Sequence, residues 1–465
     1  MLQFSTRNTG LLHAFLGGKW GLRDGSIFAI KTLLFSGILA TASAAAQSQV
    51  ASDGNGTISN SCPCNEIDIS SPAVPQHFSI RDWLEGEETY FRKSWADSGV
   101  ELQNNVTSFY FGNTRGGREQ EFLFSGHGDY LAKFDINKMG GPQGQFLQVR
   151  AEHRFGESIT NASGAFLPPT VATSIPIAGS EQLYLTNVLF TQALSESFAL
   201  YAGKMDTLGS ISPFAGGRGI QQFSNLAFVG NPVGLRTVAY SSLGTGFVVL
   251  KDKQPIFNFL VFNARDTTAT DGFSELFSEG VVIAPELTVP TNFSGLRGNH
   301  SLGGIWNSRT FASLNQSPLV FFPSVPIARQ SGSWALTYEF DQYLYADPYD
   351  SKKGWGLFGR YGIADPETNP IRYFASLGVG GNSLLSGRSN DRFGMGWFYF
   401  GKSDEIAPFA ASILGGLRDG QGGEVFYNAA INSRVSLTAD AQLLESALSS
   451  IDTALIVGLR ANISF

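Results

Sequence analysis

The stretch that decides the fold lies at the C-terminus, where residues 455–465 read LIVGLRANISF. Apolar residues occupy every second position from Leu455 to Phe465, and most positions between them are polar, as at Arg460 and Asn462. Successive side chains of a β-strand point to opposite faces of the sheet. The segment is therefore predicted to be a strand with one apolar face and one mostly polar face.

The same alternation recurs upstream. The apolar positions are Tyr130, Ala132, Phe134 and Ile136; Leu147, Val149 and Ala151; Trp334, Leu336, Tyr338 and Phe340; and Val435, Leu437, Ala439, Ala441 and Leu443. The residues between them are mostly polar, and opposite charges share single faces. Because alternation also fits a soluble antiparallel sheet with one wet face, the pattern alone leaves a soluble all-β protein and a membrane barrel open.

Composition narrows the fold class. Hydrophobic residues make up 43% of the chain, but charged residues only 15%, below the roughly 25% that is usual in soluble proteins. A helical membrane protein would need runs of about 18 apolar residues, and none follows the N-terminal segment. The other structure that satisfies its backbone groups in lipid is a closed β-barrel. The 38 Phe, 14 Tyr and 7 Trp would supply its aromatic girdles.

Charge and cysteine content argue against several other classes. The net charge of −7 and the pI near 5.4 do not suit nucleic acid, whose phosphates require basic patches. Cys62 and Cys64 form a Cys-Pro-Cys pair that cannot build a disulfide framework and lacks zinc-site spacing. No HExxH or P-loop motif occurs, so we expect no catalytic residue, no metal and no cofactor.

The N-terminal segment has the pattern of a secretory signal. Lys31 precedes an apolar core from Thr32 to Ala40, and three alanines, residues 44–46, precede Gln47. The core is too short for a transmembrane anchor. Residues 1–46 are therefore predicted to be a cleaved signal peptide. Export favours a membrane barrel over a soluble sheet, with the polar faces lining a water-filled lumen.

The rest of the chain divides in two. Residues 47–99 are predicted to be a periplasmic lead-in that ends in a short amphipathic helix containing Ile80, Leu84, Tyr90 and Phe91. Residues 100–465 are predicted to form one transmembrane antiparallel β-barrel domain, an all-β fold.

Short turns and long loops are expected to connect the strands. Two long loops are predicted, from Ser158 to Ser180 and from Thr267 to Arg309. Short periplasmic turns and long outer loops are typical of outer-membrane barrels.

Several sequence blocks resemble the carbohydrate-selective porin family, OprB. Residues 354–362 read GWGLFGRYG, followed by Ala364-Asp365, and resemble a glycine-rich strand and turn of that family. Residues 387–396 resemble a family turn, and Asp440-Ala-Gln442 and the last strand resemble its closing strands. The resemblance covers roughly Leu84 to Phe465 and is weak over Gly244 to Ser333. Ala439 stands where the family usually has proline.

The resemblance implies a barrel of about sixteen strands in the outer membrane of a Gram-negative bacterium. It implies a monomer that passes sugars such as glucose by facilitated diffusion, with charged residues narrowing the pore. Sugars or other small polar solutes and outer-membrane lipid are the expected partners. The C-terminal Phe465 is expected to engage the barrel-assembly machinery.

Sugars present hydroxyls and apolar ring faces, so a selective pore would combine arginine, carboxylate and aromatic groups. The pore-lining candidates are Lys133, Asp135, Arg150, Glu152, Arg154, Glu339, Asp341, Arg360, Arg434, Asp440 and Arg460. The alternative is that they only solvate the wall, since lumen faces are polar in any porin. Aromatic residues at strand positions are more often membrane-girdle residues than platforms for sugar rings. This interpretation is favoured for Trp334, Trp355, Trp397 and Tyr399.

Two acidic pairs could bind calcium by ligand type, but turn chemistry is the favoured interpretation. They are Asp365 with Glu367 and Asp347 with Asp350. The glycine run at 378–381 is also interpreted as a turn, because it lacks the strand-to-helix context of a nucleotide site.

Three other functions stay open. The first is a porin that is general or selects anions or other solutes. The second is an outer-membrane hydrolase using His153, which shares an apolar face with Phe155. The third is an adhesin or envelope anchor with a plugged lumen.

Overall fold

The computed structural model describes residues 90–209, 212–322, 324–350, 352–406 and 416–465. The described residues form sixteen antiparallel strands. These are β1 (Val100–Gly117), β2 (Phe122–Asp135), β3 (Gln145–Gly156), β4 (Tyr184–Ser195), β5 (Phe198–Asp206), β6 (Ser241–Lys251), β7 (Gln254–Asn263), β8 (Val281–Phe293), β9 (Leu296–Ala312), β10 (Arg329–Ala346), β11 (Gly354–Ala364), β12 (Ile371–Asn382), β13 (Arg392–Lys402), β14 (Gly420–Ala430), β15 (Val435–Leu444) and β16 (Asp452–Ser464). The predicted signal peptide and the pair Cys62 and Cys64 lie outside the described residues.

The sheet closes on itself. Each strand pairs with its neighbours in sequence, and β1 pairs with β16, with Phe109 opposite Arg460. Closure leaves no unpaired edge, which is what a sheet needs in hydrocarbon. The predicted fold class, a transmembrane antiparallel β-barrel of about sixteen strands, is confirmed.

Helices are few in the described part of the chain. They are α1 (Tyr90–Asp97), α2 (Thr160–Ser163) and α3 (Leu226–Val229), with 3-10 turns at Val171–Ser174, Gly217–Gly219, Pro318–Phe321 and Asp404–Ile406. Helix α1 directly precedes β1, at the end of the predicted amphipathic helix; Ile80 and Leu84 lie outside the described residues. None of the described helices is long and apolar enough to cross a bilayer.

The two ends of the barrel differ in their connections. At the end where β1 begins and β16 ends, which we call the termini end, two-residue turns at 196–197, 252–253 and 294–295 join neighbouring strands. At the opposite end, the loop end, the longest connections join β3 to β4 and β5 to β6. The predicted loop from Ser158 to Ser180 lies within the first of these.

The second predicted loop, Thr267 to Arg309, is wrong in large part. Only residues 264–280 connect strands there, and the rest is β8, a turn and most of β9. Two prolines in β8 hid the strand, because proline cannot donate to a ladder. Pro285 lies where the β8–β9 register skips, and Pro290 lies beyond the last β7 partner of β8.

The glycine run at 378–381 is also not a turn, because it belongs to β12. A Cβ on Gly378 would lie 2.5 Å from the ring of Phe358, so the glycine makes room for an interior aromatic. The acidic pairs do lie in turns. Asp347 accepts the amide of Tyr349, and Asp365 accepts that of Glu367, as turn chemistry predicts.

Exposure distinguishes the two faces of the wall. Tyr110 and Leu459 are each 52% exposed, whereas the adjacent Phe109 and Arg460 are fully buried. Exposed large apolar side chains such as Trp334 lie on the outer face, as expected for a wall that meets lipid. The buried residues Phe109 and Arg460 face the interior. Part of the lumen must therefore be filled by protein and not by water.

Candidate functional site

The connection between β5 and β6 fills part of the interior. We call its residues 212–240 the crossing loop. Arg218 of this loop donates to Glu152 on β3, and the carbonyl of Phe228 accepts from Arg360 on β11. Strands β3 and β11 are eight positions apart in a closed ring of sixteen, so they stand on opposite walls. The crossing loop therefore spans the lumen and narrows it.

The first anchor of the crossing loop is Arg218, which lies among three buried carboxylates. Its guanidinium is 2.7 Å from Glu152 and 2.7 Å from Asp206, and 3.8 Å from Asp129. Arg150 on β3 pairs with two of the same carboxylates, at 3.1 Å from Asp129 and 2.8 Å from Asp206. Two guanidinium groups thus lie among three acids, and the shared carboxylates fix the loop to the β2–β5 wall.

Tyr240 completes this anchor just before β6. Burial raises the pKa of its phenol well above the ordinary value, so the hydroxyl stays protonated and donates to Glu152 at 2.7 Å. Burial alone would lower the pKa of Arg218, but the carboxylates of Glu152, Asp206 and Asp129 raise it well above the ordinary value. Arg218 is therefore a permanent cation inside the barrel, and the anchor does not titrate through this group.

The second anchor lies on β14. The carboxylate of Glu424 accepts the backbone amides of Ser224 at 2.6 Å and Asn225 at 2.9 Å. The side chain of Asn225 also donates to Gln442 on β15 at 3.0 Å. On β16, Arg460 donates to two further loop carbonyls, at 2.7 and 2.6 Å. These bonds satisfy the loop backbone, which would otherwise be costly to bury.

Aromatic packing supports the same part of the loop. The ring of Phe223 lies 5.2 Å from Phe358 on β11 and 4.9 Å from Phe426 on β14, both edge-on. A Cβ added to Gly394 on β13 would lie 2.8 Å from Phe223 and 2.4 Å from Phe426. The glycine on the wall therefore makes room for the loop.

Replacing Gly394 by alanine is expected to destabilise the folded protein by about 1–3 kcal/mol, because the methyl group displaces one of these rings. Urea unfolding in phospholipid vesicles would measure the change. Gly209→Ala is the control, since its Cβ position has no described atom within 4 Å beyond its chain neighbours. Equal effects of the two substitutions would contradict the packing described.

The interior side of β8, β9 and β10 is less covered. Glu286 and Arg297 are exposed there, and the side chain of Glu339 is 35% exposed. Close to the crossing loop, Ser301 and Asp341 line a cavity of about 20 Å³, room for one water molecule. We call these five residues the open passage. Four of its five residues are charged, and of these Asp341 is only 5% exposed.

Near the termini end, the arginine of the open passage is stacked on an aromatic ring. The guanidinium of Arg297 lies 4.6 Å from the ring centroid of Tyr343, and donates to its hydroxyl at 2.9 Å. Asp341 accepts from Asn299 at 3.5 Å, and Glu339 lies 3.4 Å from the guanidinium of Arg360. Such side chains can exchange hydrogen bonds with a polyhydroxylated solute. Within the described ranges no three His, Cys, Asp or Glu side chains are grouped to hold a metal ion.

Comparison with known proteins identifies the family. The sequence model of the carbohydrate-selective porin, OprB family, matches residues 120–465, most of the chain. The chain belongs to this family. It is a porin and not an enzyme, and the family and the barrel together indicate an outer-membrane protein of a Gram-negative bacterium. The resemblance seen in the sequence is confirmed. No curated protein matches the chain.

Solved structures agree with the porin fold. The high-pH structure of Pseudomonas putida OprB is 18% identical, with a TM-score of 0.71, and the alignment covers 83% of this chain and 97% of that one. The low-pH structure of the same protein is 14% identical, with a TM-score of 0.50 and the same coverage. At these identities the likeness concerns the fold.

The predicted pore-lining residues fall into different groups in the porin. Those that face the interior and are buried beside loops are Glu152, Arg154, Arg360, Asp440 and Arg460, whereas the side chain of Arg150 is 14% exposed and pairs with acids on β2 and β5. The partners of the five buried residues include loop backbone and loop side chains; Arg154, for example, donates to the carbonyl of Thr173 at 2.7 Å. Inward loops therefore occupy the space beside these five pore-lining candidates.

Only Glu339 and Asp341 of the candidates lie in the open passage. Lys133 and Asp135 lie at the termini end and line a separate cavity of about 510 Å³. Arg434 is in the β14–β15 turn and not on a strand face, because the side chain of Asn432 accepts its amide at 2.9 Å and ends the strand pattern.

Three residues of the site were missed by sequence reasoning. Glu424 lies in an alternating stretch of β14, and the two-residue period there could have placed it on the interior face. Glu286 was hidden by the prolines of β8. Arg218 lies in a glycine-rich segment with no period, and it adopts a left-handed φ of 53°, so nothing in the sequence marks its position across the lumen.

Proposed function

We propose that this porin lets monosaccharides such as glucose, with small oligosaccharides as a further class, diffuse into the periplasm. The observation that carries the proposal is the open passage beside an anchored crossing loop. Membership of the carbohydrate-selective family supports it. The loop narrows the lumen, so a solute must pass close to Glu286, Glu339 and Arg297.

The chemistry of the open passage suits an uncharged polyol. Carboxylates accept hydrogen bonds from sugar hydroxyls, and Arg297 can donate to them. The ring of Tyr343 is buried under Arg297 and supports that donor. Glu286, Glu339 and Asp341 outnumber Arg297 in the passage, which does not favour anions.

Solute flux into proteoliposomes tests the proposal. The purified porin is expected to admit glucose faster than gluconate, an anion of similar size, and to admit maltose more slowly than glucose. Equal rates for glucose and gluconate would make the protein a general porin. Faster gluconate entry would make it an anion porin, and no entry of any solute would contradict a channel.

Glu339→Gln is expected to weaken glucose binding in the lumen about tenfold, because a charge-assisted hydrogen bond contributes about 1.5 kcal/mol or more. The measurement is the glucose concentration that half-blocks the single-channel current. Asp404→Asn is the matched control, because Asp404 is 75% exposed in an ion pair outside the strands. Unchanged block in Glu339→Gln would remove this residue from the sugar path.

We further propose the course of export and assembly. Residues 1–46 would be cleaved as a signal peptide, 47–99 would form the periplasmic lead-in with α1, and 100–465 the barrel domain. The termini end would face the periplasm, where Phe465 engages the assembly machinery. The ring of Phe465 lies 6.4 Å from that of Tyr130 on the outer face. The porin would act as a monomer.

A further inference from the structure

Lys204 is a charged residue on the outer face of the wall. Its neighbours along β5 on that side, Leu200 and Ala202, are exposed, and its partner on β6 is Leu243. The residue between, Met205, points the other way and packs with interior residues such as Phe262. A lysine on the lipid side of a barrel is unfavourable unless its ammonium finds polar partners.

The β7–β8 connection, residues 264–280, supplies those partners. We call it the outer strap. The ammonium of Lys204 donates to the carbonyls of Thr267 at 2.8 Å and Thr270 at 2.6 Å. A Cβ on Gly272, which has a left-handed φ of 87°, would lie 3.2 Å from Leu243. The strap is therefore folded down over the outer face of β5 and β6.

The wall is short where the strap lies. Strand β5 has nine residues, which rise about 30 Å and cover about 23 Å across a membrane at the usual tilt of about 40°, against an apolar band of about 25 Å. All of β5 is thus needed to cross the band. Lys204 and the strap that covers it must lie within the band or at its edge.

Three large apolar side chains of the strap are exposed, together with charged ones such as Asp271 and Glu279. Phe273 is 72% exposed, Phe277 54% and Leu276 42%. The amide of Phe277 donates to Asn263, an outer residue of β7, at 3.0 Å, which holds the strap backbone against the wall. These side chains continue the lipid-facing surface at the place where the strands are shortest.

We propose that the outer strap is embedded in the membrane, with Phe273, Leu276 and Phe277 in contact with lipid acyl chains. The ammonium of Lys204 holds the strap by donating to the strap's backbone carbonyls, and the strap shields the ammonium from lipid. This surface lies outside the barrel and has no part in the sugar passage. The proposal is therefore independent of which solute the porin admits.

A fluorescent label on the strap tests the proposal. Phe273→Cys and, independently, Leu276→Cys are labelled with bimane after replacing Cys62 and Cys64 by serine, and the full-length porin is reconstituted in vesicles. Both positions are exposed, so substitution leaves the fold intact. Glu367→Cys, an exposed position in the β11–β12 turn at the same loop end, is the matched control.

At positions 273 and 276 we expect a blue-shifted emission, strong quenching by lipids with nitroxide on the acyl chain, and weak quenching by aqueous iodide. At 367 the order of the two quenchers is expected to reverse. Iodide quenching at 273 and 276 equal to that at 367 would overturn the proposal. Shielding from both quenchers, with cross-links between copies, would place a second copy there and also overturn it.

Discussion

Arg218→Ala is expected to open the pore and to destabilise the porin by about 3–5 kcal/mol, because it leaves buried carboxylates without their central partner. Glu152 and Asp206 would each lose a contact of 2.7 Å. Arg150 alone cannot neutralise three acids, so the crossing loop should leave the wall. Single-channel conductance is therefore expected to rise well above wild type, with noisier open currents.

Arg372→Ala is the control for losing an arginine. Arg372 is 55% exposed and pairs with Asp404 at 3.4 Å, so its removal should change stability by less than about 0.5 kcal/mol and leave conductance unchanged. Arg218→Lys keeps the charge but not the forked geometry, so an intermediate conductance is expected. Wild-type conductance in Arg218→Ala would show that the loop does not depend on this anchor.

Glu424→Ala is expected to release the middle of the crossing loop. The substitution leaves the buried amides of Ser224 and Asn225 without an acceptor, at about 1–3 kcal/mol for each amide. The loop should then move from the β14 wall, raising conductance and weakening the glucose block. Urea unfolding and current recordings on the same preparation would measure both effects.

Glu445→Ala is the matched control for Glu424→Ala. Glu445 is only partly buried and pairs with Arg418 at 3.2 Å, away from the crossing loop, so a cost of about 0–1 kcal/mol is expected. In the double variant Arg218→Ala with Glu424→Ala, the gain in conductance should be less than the sum of the gains in the two single variants, since Arg218 and Glu424 hold the same loop. Strict additivity would mean that they act on separate structures.

The fold was predictable because the bilayer imposes a two-residue period on each crossing strand. The last strand, residues 455–464, shows it without interruption, and its interior residues Arg460 and Asn462 are buried as the period predicts. The period failed at β8, where Pro285 and Pro290 replaced the expected strand residues. It also failed at Arg434, where local turn bonds outweigh alternation.

The site was less predictable, because alternation fixes the side of the wall and not what lies against it. Arg360 and Arg460 alternate with outer residues and face the interior, yet both are buried by the crossing loop. The loop has no period, and its path depends on long-range partners such as Glu152 and Glu424. Such partners are set by the closed barrel and are invisible in a local pattern.

The most direct test of the account compares the wild-type porin with a variant in which residues 214–234 are replaced by a short Gly-Ser linker, in a planar bilayer with increasing glucose. The wild type is predicted to show a small conductance with saturable block by glucose, and the variant a larger conductance without saturable block. The same conductance and the same block in both proteins would contradict a sugar passage formed by the crossing loop.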